Sequence, residues 1–388
     1  MRFDVFYRRS KLERIYFGQA AAESLKRELD LTGAKRVLLV VNRSLLHGRD
    51  LLDQVITSIV DRLVGTPVAI GAHTPGSDIM EVVDAARRNA VDLLVAVGGG
   101  SVIDGAKIAT VCLSEGIATL EQLKARRNEA SDHSIWPKDL DLEAVRFVGV
   151  PVTLAAAEFS WGAGFVDENG SKRSLRHALM APRAVILDPR ATMGTPRDLF
   201  LSSGVRAIDH AAERLASLHA SSFSDAITRE ALSLLARSLP RIASAPCDID
   251  ARSDAQMATW LSVAGEEAGA GAGASHVIGR VLSLHAAIPH GFTSCILLPA
   301  VMKWNAVANA ERQQRVAGAL GNPELAAGDA IGALIAELGL ARRLRDFGVT
   351  RESLIEIAEI VCASPAIQHN PRPIEGPSDV LEILELAW

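Results

Sequence analysis

Val91-Asp92-Leu93-Leu94-Val95-Ala96-Val97 runs directly into Gly98-Gly99-Gly100-Ser101, and these into Val102-Ile103-Asp104-Gly105-Ala106-Lys107. An apolar run, a glycine turn and a helix start, in that order, read as strand, tight loop and helix. Consecutive glycines let the backbone approach a ligand with no side chain in the way. A helix beginning there aims free N–H groups and the positive end of its dipole at an anion. The stretch therefore points to an anionic ligand, a dinucleotide first of all. It lacks the G-x-G-x-x-G spacing, so that fingerprint does not apply. A tight strand-to-helix turn without a ligand is the competing reading.

The same alternation extends outward from this turn. Lys35 to Val41 and Pro67 to Ile70 read as strands, Ile79 to Asn89 as a helix, and Phe147 to Val152 and Ala184 to Pro189 as further strands. Strands alternating with helices predict a parallel, doubly wound α/β sheet. Ligands of such sheets sit at the carboxyl ends of the strands. From about Thr195 the pattern changes to Ala/Leu-rich helical stretches: Val205 to Ser217, Ser224 to Ser238, Ser253 to Leu284, Ser294 to Asn309, Pro323 to Leu338 and Arg351 to Cys362. We expect residues 1–190 to form a dinucleotide-binding α/β domain and residues 191–388 an all-helical substrate domain. Gly269 to Ala274 reads as part of a helix whose small residues allow close packing, with a flexible linker as the alternative. Arg126 to Asp141 is polar and reads as a surface excursion.

Composition excludes several classes. The 388 residues carry a net charge of −5, which leaves no basic footprint for nucleic acid. No apolar run is long enough to span a membrane. Met1-Arg2-Phe3-Asp4 does not read as the start of a signal peptide. Cys112, Cys247, Cys295 and Cys362 are far apart and read as free thiols of a cytoplasmic protein.

His210, His276 and His290 fall in the helical half, His276 and His290 fourteen residues apart. Neutral imidazoles are ligands for zinc or iron(II). With 10 histidines in the chain, spacing alone is weak evidence for a metal.

The residues together resemble the iron-containing alcohol dehydrogenase family, its maleylacetate reductase branch most closely. The glycine turn with Asp104 and Lys107 matches the family's cofactor motif. Pro151-Val152-Thr153-Leu154-Ala155-Ala156-Ala157-Glu158 is similar to its second cofactor loop, which carries Gly-Ser where Ala156-Ala157 stand here. Leu297-Leu298-Pro299-Ala300-Val301-Met302 and Asn305 match a helix of its second domain, and Asn370-Pro371-Arg372-Pro373 and Ala387-Trp388 the reductase branch. The resemblance implies a Rossmann-like N-terminal domain, a helical C-terminal domain, a deep cleft between them and NAD or NADP as cofactor. It also implies a homodimer.

Departures from the family carry as much information. Its divalent metal is held by an Asp and three His; His210, His276 and His290 match the histidines, and Arg206 stands at the Asp position. A family histidine that relays protons corresponds to Arg280. Arginine has no lone pair to give a metal. Arg206 and His210 are four residues apart, as are His276 and Arg280, so each pair shares a helix face. Two guanidiniums suggest an anionic substrate, since arginine forks onto carboxylates. The bland alternative pairs Arg206 with Asp209 or Glu213 on its own helix. We therefore expect a site without zinc or iron, with His210, His276 and His290 as ligands if a metal does bind. His285 is a further candidate for proton transfer beside those three histidines. The strand from Lys35 ends at Asn42-Arg43-Ser44, without the acidic residue that selects NAD, so NADP or dual use is open.

Together these readings describe an NAD(P)-dependent reductase of a small carboxylate-bearing carbonyl or conjugated enoate. Its catalytic candidates are Arg206, His210, His276, Arg280, His285 and His290. Its cofactor would contact Asn42, Gly98, Gly99, Gly100, Ser101, Asp104, Lys107, Thr153 and Leu154. A non-redox lyase, hydratase or cyclase on the scaffold of the related dehydroquinate synthases, or a non-catalytic nucleotide binder, are the alternatives.

Overall fold

The structure is a computed structural model that describes residues 11–46, 49–126, 144–265, 271, 273–286 and 288–388. It divides into two compact units, one spanning Ser10–Thr195 and the other carrying Pro196–Trp388.

The first unit is built from strands and helices in alternation: β1 (Arg14–Phe17), α1 (Ala21–Thr32), β2 (Val37–Asn42), α2 (Arg49–Ile59), β3 (Val68–Ile70), α3 (Gly76–Arg88), β4 (Leu93–Gly98), α4 (Gly100–Glu115), α5 (Leu120–Ala125), β5 (Arg146–Pro151), β6 (Gly162–Val166), β7 (Lys172–Arg176) and β8 (Ala184–Leu187). Six strands form one sheet in the order β1-β8-β5-β4-β2-β3, every neighbouring pair parallel. β6 and β7 make a separate antiparallel pair.

The unbroken apolar run of β4 follows from burial on both faces. Leu93, Val95 and Val97 join a core containing Leu25, Leu29, Val55 and Ile59 of α1 and α2. Leu94 and Ala96 join the opposite core, with Val82 and Ala86 of α3 and Ile103 and Ala106 of α4. At roughly 25 cal/mol per Å² of apolar area buried, two such layers supply the main stabilisation of the sheet. β1 gives little sequence signal: it is a short edge strand, and Arg14 and Tyr16 direct their polar ends to Glu28 of α1 at 2.7–2.8 Å.

Sheet order fixes where a ligand can bind. The chain leaves β2 for β3 on one side and returns to β4 on the other. Such a reversal opens a crevice at the carboxyl ends of the two central strands. Val41 of β2 is in register with Val97 of β4, so Asn42 and Gly98 end the strands side by side.

The second unit is helical throughout its described residues: α6 (Arg197–Ala216), α7 (Ser222–Ser244), α8 (Ile249–Ala264), α9 (Ala274–His285), α10 (His290–Ala319), α11 (Ala327–Glu337), α12 (Arg351–Cys362) and α13 (Pro377–Ala387). One core joins α9, α10, α12 and α13 through Ile278, Leu282, Leu297, Val301, Ile357, Val361 and Ile383. Asn309 departs from helical geometry inside α10, and its side-chain amide donates to the Ala216 carbonyl at 2.8 Å.

The helix expected from Ser253 to Leu284 is in fact two. α8 ends at Ala264, Gly271 is not helical, and Gly273 is the extended residue that precedes α9. Reading Gly269 to Ala274 as the inside of a helix is therefore corrected, although residues 269, 270 and 272 lie outside the described ones. Glycines are poor helix formers, and at the break the Glu213 carboxylate accepts from the Gly273 and Ser275 amides that open α9; a Cβ on Gly273 would stand 2.9 Å from Glu213 Oε1. The expected surface excursion likewise falls mostly on residues 127–143, outside the described chain.

Candidate functional site

The glycine turn of the first unit lies at the crevice. A Cβ on Gly98 would stand 2.7 Å from both Asn42 Oδ1 and Val102 Cγ2, so only glycine fits. Gly98 also accepts from the Val152 amide at 3.1 Å, which docks the second loop on the first. Gly99 precedes α4 in extended conformation, and no side chain caps the helix. Its free end therefore faces whatever occupies the crevice. Asn42 gives its side-chain amide to Ser44 Oγ, while its Oδ1 is buried with no hydrogen-bond partner. An uncapped helix, a glycine cradle and an orphaned acceptor fit a dinucleotide that brings both phosphate oxygens and ribose hydroxyls. The turn is braced from the side: Ser101 Oγ accepts from the His73 amide and the Ser101 carbonyl from Thr74 Oγ1, each at 3.1 Å.

Several expected cofactor residues have structural partners of their own. Lys107 is fully buried, and its ammonium donates to Ser160 Oγ at 3.0 Å and the Gly162 carbonyl at 2.9 Å and lies 3.4 Å from Asp104. Asp104 in turn accepts from the Gly164 amide at 3.1 Å. The pair ties α4 to the start of β6. Leu154 is fully buried and Thr153 nearly so, with Thr153 Cγ2 lying 3.3 Å from where a Cβ on Gly99 would be. Arg43 is held by Asp78 at 3.1 Å. Ala156 has φ +59°, a left-handed conformation in which the alanine is strained. Glu158, two residues on, is buried, and desolvation pushes its carboxyl up to about 7.

The histidines belong to the second unit. From Phe200 to Ala216 every residue of α6 is buried except Arg206 and His210, one turn apart. Arg206 Nη1 lies 3.4 Å from Asp209 Oδ2 and donates to Ser294 Oγ at 3.2 Å. Asp209 Oδ2 also accepts from Ser294 Oγ at 2.6 Å and Ser275 Oγ at 2.9 Å. His276 Nδ1 meets Glu213 Oε2 at 2.7 Å, and its Nε2 meets His210 Nδ1 at 2.8 Å. Burial holds both imidazoles neutral at ordinary pH. His276 is pushed down to about 3 and His210 falls well below its usual range, with nearby positive charge adding to burial.

The structure thus brings Arg206, His210 and His276 together. His290 opens α10 one turn before Ser294, on the side of that helix facing Arg206 and Asp209. Arg280 is exposed one turn beyond His276, near enough for its charge to act on His276 and Arg206. His285 is the exposed last residue of α9. Nine residues from His276 put it about 13 Å along the axis on the opposite side, so it does not join the cluster. From sequence, Asp209 and Glu213 are only possible partners of Arg206, Ser294 is only the start of a helical stretch, and Ser275 carries no signal. Asn370 and Asn305 entered as family matches without a role. The two exchange hydrogen bonds at 2.7 and 3.0 Å, and Asn370 Oδ1 caps the Ala274 amide at 3.2 Å.

Comparison with known proteins agrees with this architecture. Residues 13–189 match the family model described as iron-containing alcohol dehydrogenase, and residues 200–388 that of the C-terminal part of the same family. Maleylacetate reductase of Pseudomonas sp. (strain P51) is 30% identical over 364 residues, 93% of this chain and 92% of that one. A crystal structure described as a putative alcohol dehydrogenase from Ralstonia eutropha JMP134 superposes with TM-score 0.85 at 28% identity, covering 100% of this chain and 98% of that one. Sulfoacetaldehyde reductase from Bifidobacterium kashiwanohense, solved in complex with NAD+, has the same fold at TM-score 0.83 and 20% identity, with 100% and 99% covered. The chain is an oxidoreductase belonging to the iron-containing alcohol dehydrogenase family.

Proposed function

We propose that the protein is an NAD(P)-dependent, metal-independent reductase of a small carboxylate-bearing carbonyl or conjugated enoate, maleylacetate-like in chemistry. The observation carrying this is that a guanidinium and an imidazole, Arg206 and His210, are the two residues of the Phe200–Ala216 stretch that reach solvent. The maleylacetate reductase relative supports the substrate class.

The donor set does not fit the divalent metal implied by the family. Two nitrogens bound to one tetrahedral zinc at ~2.05 Å stand about 3.4 Å apart. His276 Nε2 and His210 Nδ1 are 2.8 Å apart, a hydrogen-bond distance in which one nitrogen carries the hydrogen. Asp209, Glu213 and His276 do lie close enough to count as potential ligands. Most of their atoms are engaged, however: Glu213 accepts from the Gly273 and Ser275 amides at 2.7 and 2.8 Å, and Asp209 Oδ2 from two hydroxyls, while Asp209 Oδ1 is buried with no hydrogen-bond partner. The Arg206 guanidinium adds a fixed positive charge that repels a cation.

In the proposed reaction a bound nicotinamide supplies or accepts the hydride. Arg206 holds an anionic oxygen of the substrate with the part of its donor fork not committed to Asp209 and Ser294. Arg280 adds positive charge. A histidine of the cluster, His210 in contact with His276, exchanges the proton with the substrate oxygen, and His290 is the neighbouring alternative. The cofactor phosphates would lie against Gly98 to Ser101, with Asn42 Oδ1 taking a hydroxyl. Since Asn42 is uncharged, NADP is not repelled, and use of either cofactor is part of the proposal. The free cysteines suit a reducing compartment, and we place the enzyme in the cytoplasm as a homodimer.

Fluorescence titration with NADH and NADPH, with maleylacetate as test substrate, examines the redox half. Binding and turnover are expected; no binding of either nucleotide would sink it. Metal analysis of purified protein examines the other half, and stoichiometric, tightly held zinc or iron would refute it.

A further inference from the structure

Arg43 follows directly on Asn42, the last residue of β2, and opens the short turn Arg43–Leu46. Asn42 is in register with Ile70, the last residue of β3. The chain leaves β3 at Gly71 and begins α3 at Gly76, and Asp78 stands buried in the first turn of that helix. The Asp78 carboxylate ties these pieces together. Its Oδ2 accepts from the Gly71 amide at 2.8 Å, and its two oxygens accept from Arg43 Nη2 at 3.2 and 3.1 Å. A Cβ on Gly71 would stand 3.3 Å from Asp78 Oδ2 and 3.7 Å from Arg43 Cζ, so the ion pair lies over the glycine. The arginine side chain is thus laid from the end of β2 to the end of β3, on the β3 side of the crevice.

Only one nitrogen of this guanidinium is used. Nε and Nη1 have no partner among the described residues. The Arg43 side chain is 65% exposed and that of Asp78 only 9%, so the charge presented to the crevice edge is the guanidinium's. A buried, doubly hydrogen-bonded acid holds the arginine head in one place, and less side-chain freedom is left to lose when a ligand arrives. The remaining N–H groups keep the planar fork that matches a phosphate. On the neighbouring residue, Asn42 Oδ1 is a buried acceptor without a partner.

NAD and NADP differ in one group, a hydroxyl or a phosphate at the 2′ position of the adenosine ribose. In doubly wound folds an acid near this strand end takes the hydroxyl, whereas a nearby arginine accommodates the phosphate. Here the strand end carries no acid, and an acceptor for a ribose hydroxyl and a fixed guanidinium stand on consecutive residues. We propose that Arg43, held by Asp78 over Gly71, is the coenzyme-specificity residue of this protein, binding the 2′-phosphate of NADP and setting a preference for NADP(H) over NAD(H). The inference rests on the proposed nucleotide-dependent function and narrows it from either coenzyme to a preferred one. NAD(H) still binds, through the glycine turn and Asn42, but without this contact.

Calorimetric titration of the full-length protein tests it with two pairs of ligands. The pairs are NADPH with NADH, and adenosine 2′,5′-bisphosphate with adenosine 5′-monophosphate, which differ by the 2′-phosphate alone. In the unaltered protein the phosphate-bearing member of each pair is expected to bind about tenfold or more tightly than its partner, as charge-assisted hydrogen bonds to a phosphate would give. Arg43→Gln keeps a donor for Asp78 but removes the charge and the fork, and should bring both ratios close to one. Lys35→Ala removes a cation ahead of the amino end of the same strand and should leave both ratios as they are. An unaltered protein that binds both members of each pair equally, or prefers NADH, overturns the proposal. So does a folded Arg43→Gln that keeps the preference, or a Lys35→Ala that loses it as fully. Should Arg43→Gln fail to fold, the two ratios of the unaltered protein decide. A 2′-phosphate preference that depends on Arg43, found without any turnover of maleylacetate, would instead remove the proposed reaction and leave the role of Arg43 standing.

Discussion

Arg206 Nη1 lies 3.4 Å from Asp209 Oδ2, so the guanidinium at the position of the family's metal-binding aspartate is partnered by an acid one turn along the same helix. The pair is tied into α10 through Ser294, which bonds both residues. Asp209 is fully buried, and removing the cation that partners a buried charge costs up to about 3–5 kcal/mol, because that charge is left unpaired. Arg206→Asp combined with Arg280→His should therefore lower the melting temperature of metal-free protein. Added Zn2+ should recover it, because with the guanidiniums gone His210 and His276 can part from their 2.8 Å contact and join the new aspartate as ligands. Thermal melts with and without Zn2+ check this; a double variant indifferent to zinc would show that the arginines are not what excludes the ion.

Gly98 and Asn42 set a second expectation. Gly98→Ala puts a Cβ 2.7 Å from Asn42 Oδ1 and Val102 Cγ2 in a packed strand end. Overpacking of this kind costs about 1–3 kcal/mol. The variant should melt lower and bind NADH and NADPH more weakly than the unaltered protein, as read by nucleotide fluorescence. Equal affinity and equal stability would argue against a tight cradle.

Glu158 makes stability depend on pH. Its carboxyl is raised to about 7 in the folded protein by burial, from an ordinary 4.5. Between those values the folded chain binds the proton more tightly than the unfolded one. The favourable contribution is full below pH 4.5 and is lost as pH rises through about 7. Glu158→Gln cannot ionise, so it should be more stable than the unaltered protein at pH 8. The gain should be on the order of 3 kcal/mol at most and shrink towards pH 5. Urea unfolding at the two pH values measures it; a gap that widens on acidification would contradict the assignment.

Ala156 holds φ +59°, at a position where the family resemblance implies glycine. A side chain in this region costs roughly 1–2 kcal/mol, offset in part by the extra freedom glycine has when unfolded. Ala156→Gly should stabilise the protein by about 1 kcal/mol in chemical denaturation. A destabilised variant would mean that the alanine methyl packs better than its backbone strains.

Much of the fold was legible in the sequence because its signals are local. The apolar run before Gly98 needs two covered faces, and that alone implies helices on both sides of a parallel sheet. The weak signals were those lacking a local period. β1 is a short edge strand with polar side chains satisfied by Glu28, and the break after Ala264 lies in a small-residue segment that reads as helix by composition. At the candidate site, the spacing of Arg206 and His210 placed both on one helix face, and their exposure on an otherwise buried stretch agrees. His285 is only nine residues from His276 in sequence, yet helix rotation carries it away.

The sequence by itself determined the doubly wound sheet and the helical second unit. These follow from period and composition, which act within a few residues; that a guanidinium stands where a metal-binding acid would be is what the family resemblance implies. Only the tertiary structure decided that Lys107 is enclosed as a structural tie and that Glu213 caps α9. It alone set Glu213, His276 and His210 in series, across 63 and 66 residues of chain. Hydrogen bonds between side chains so far apart in sequence form only once the helices have packed, and no local pattern encodes them.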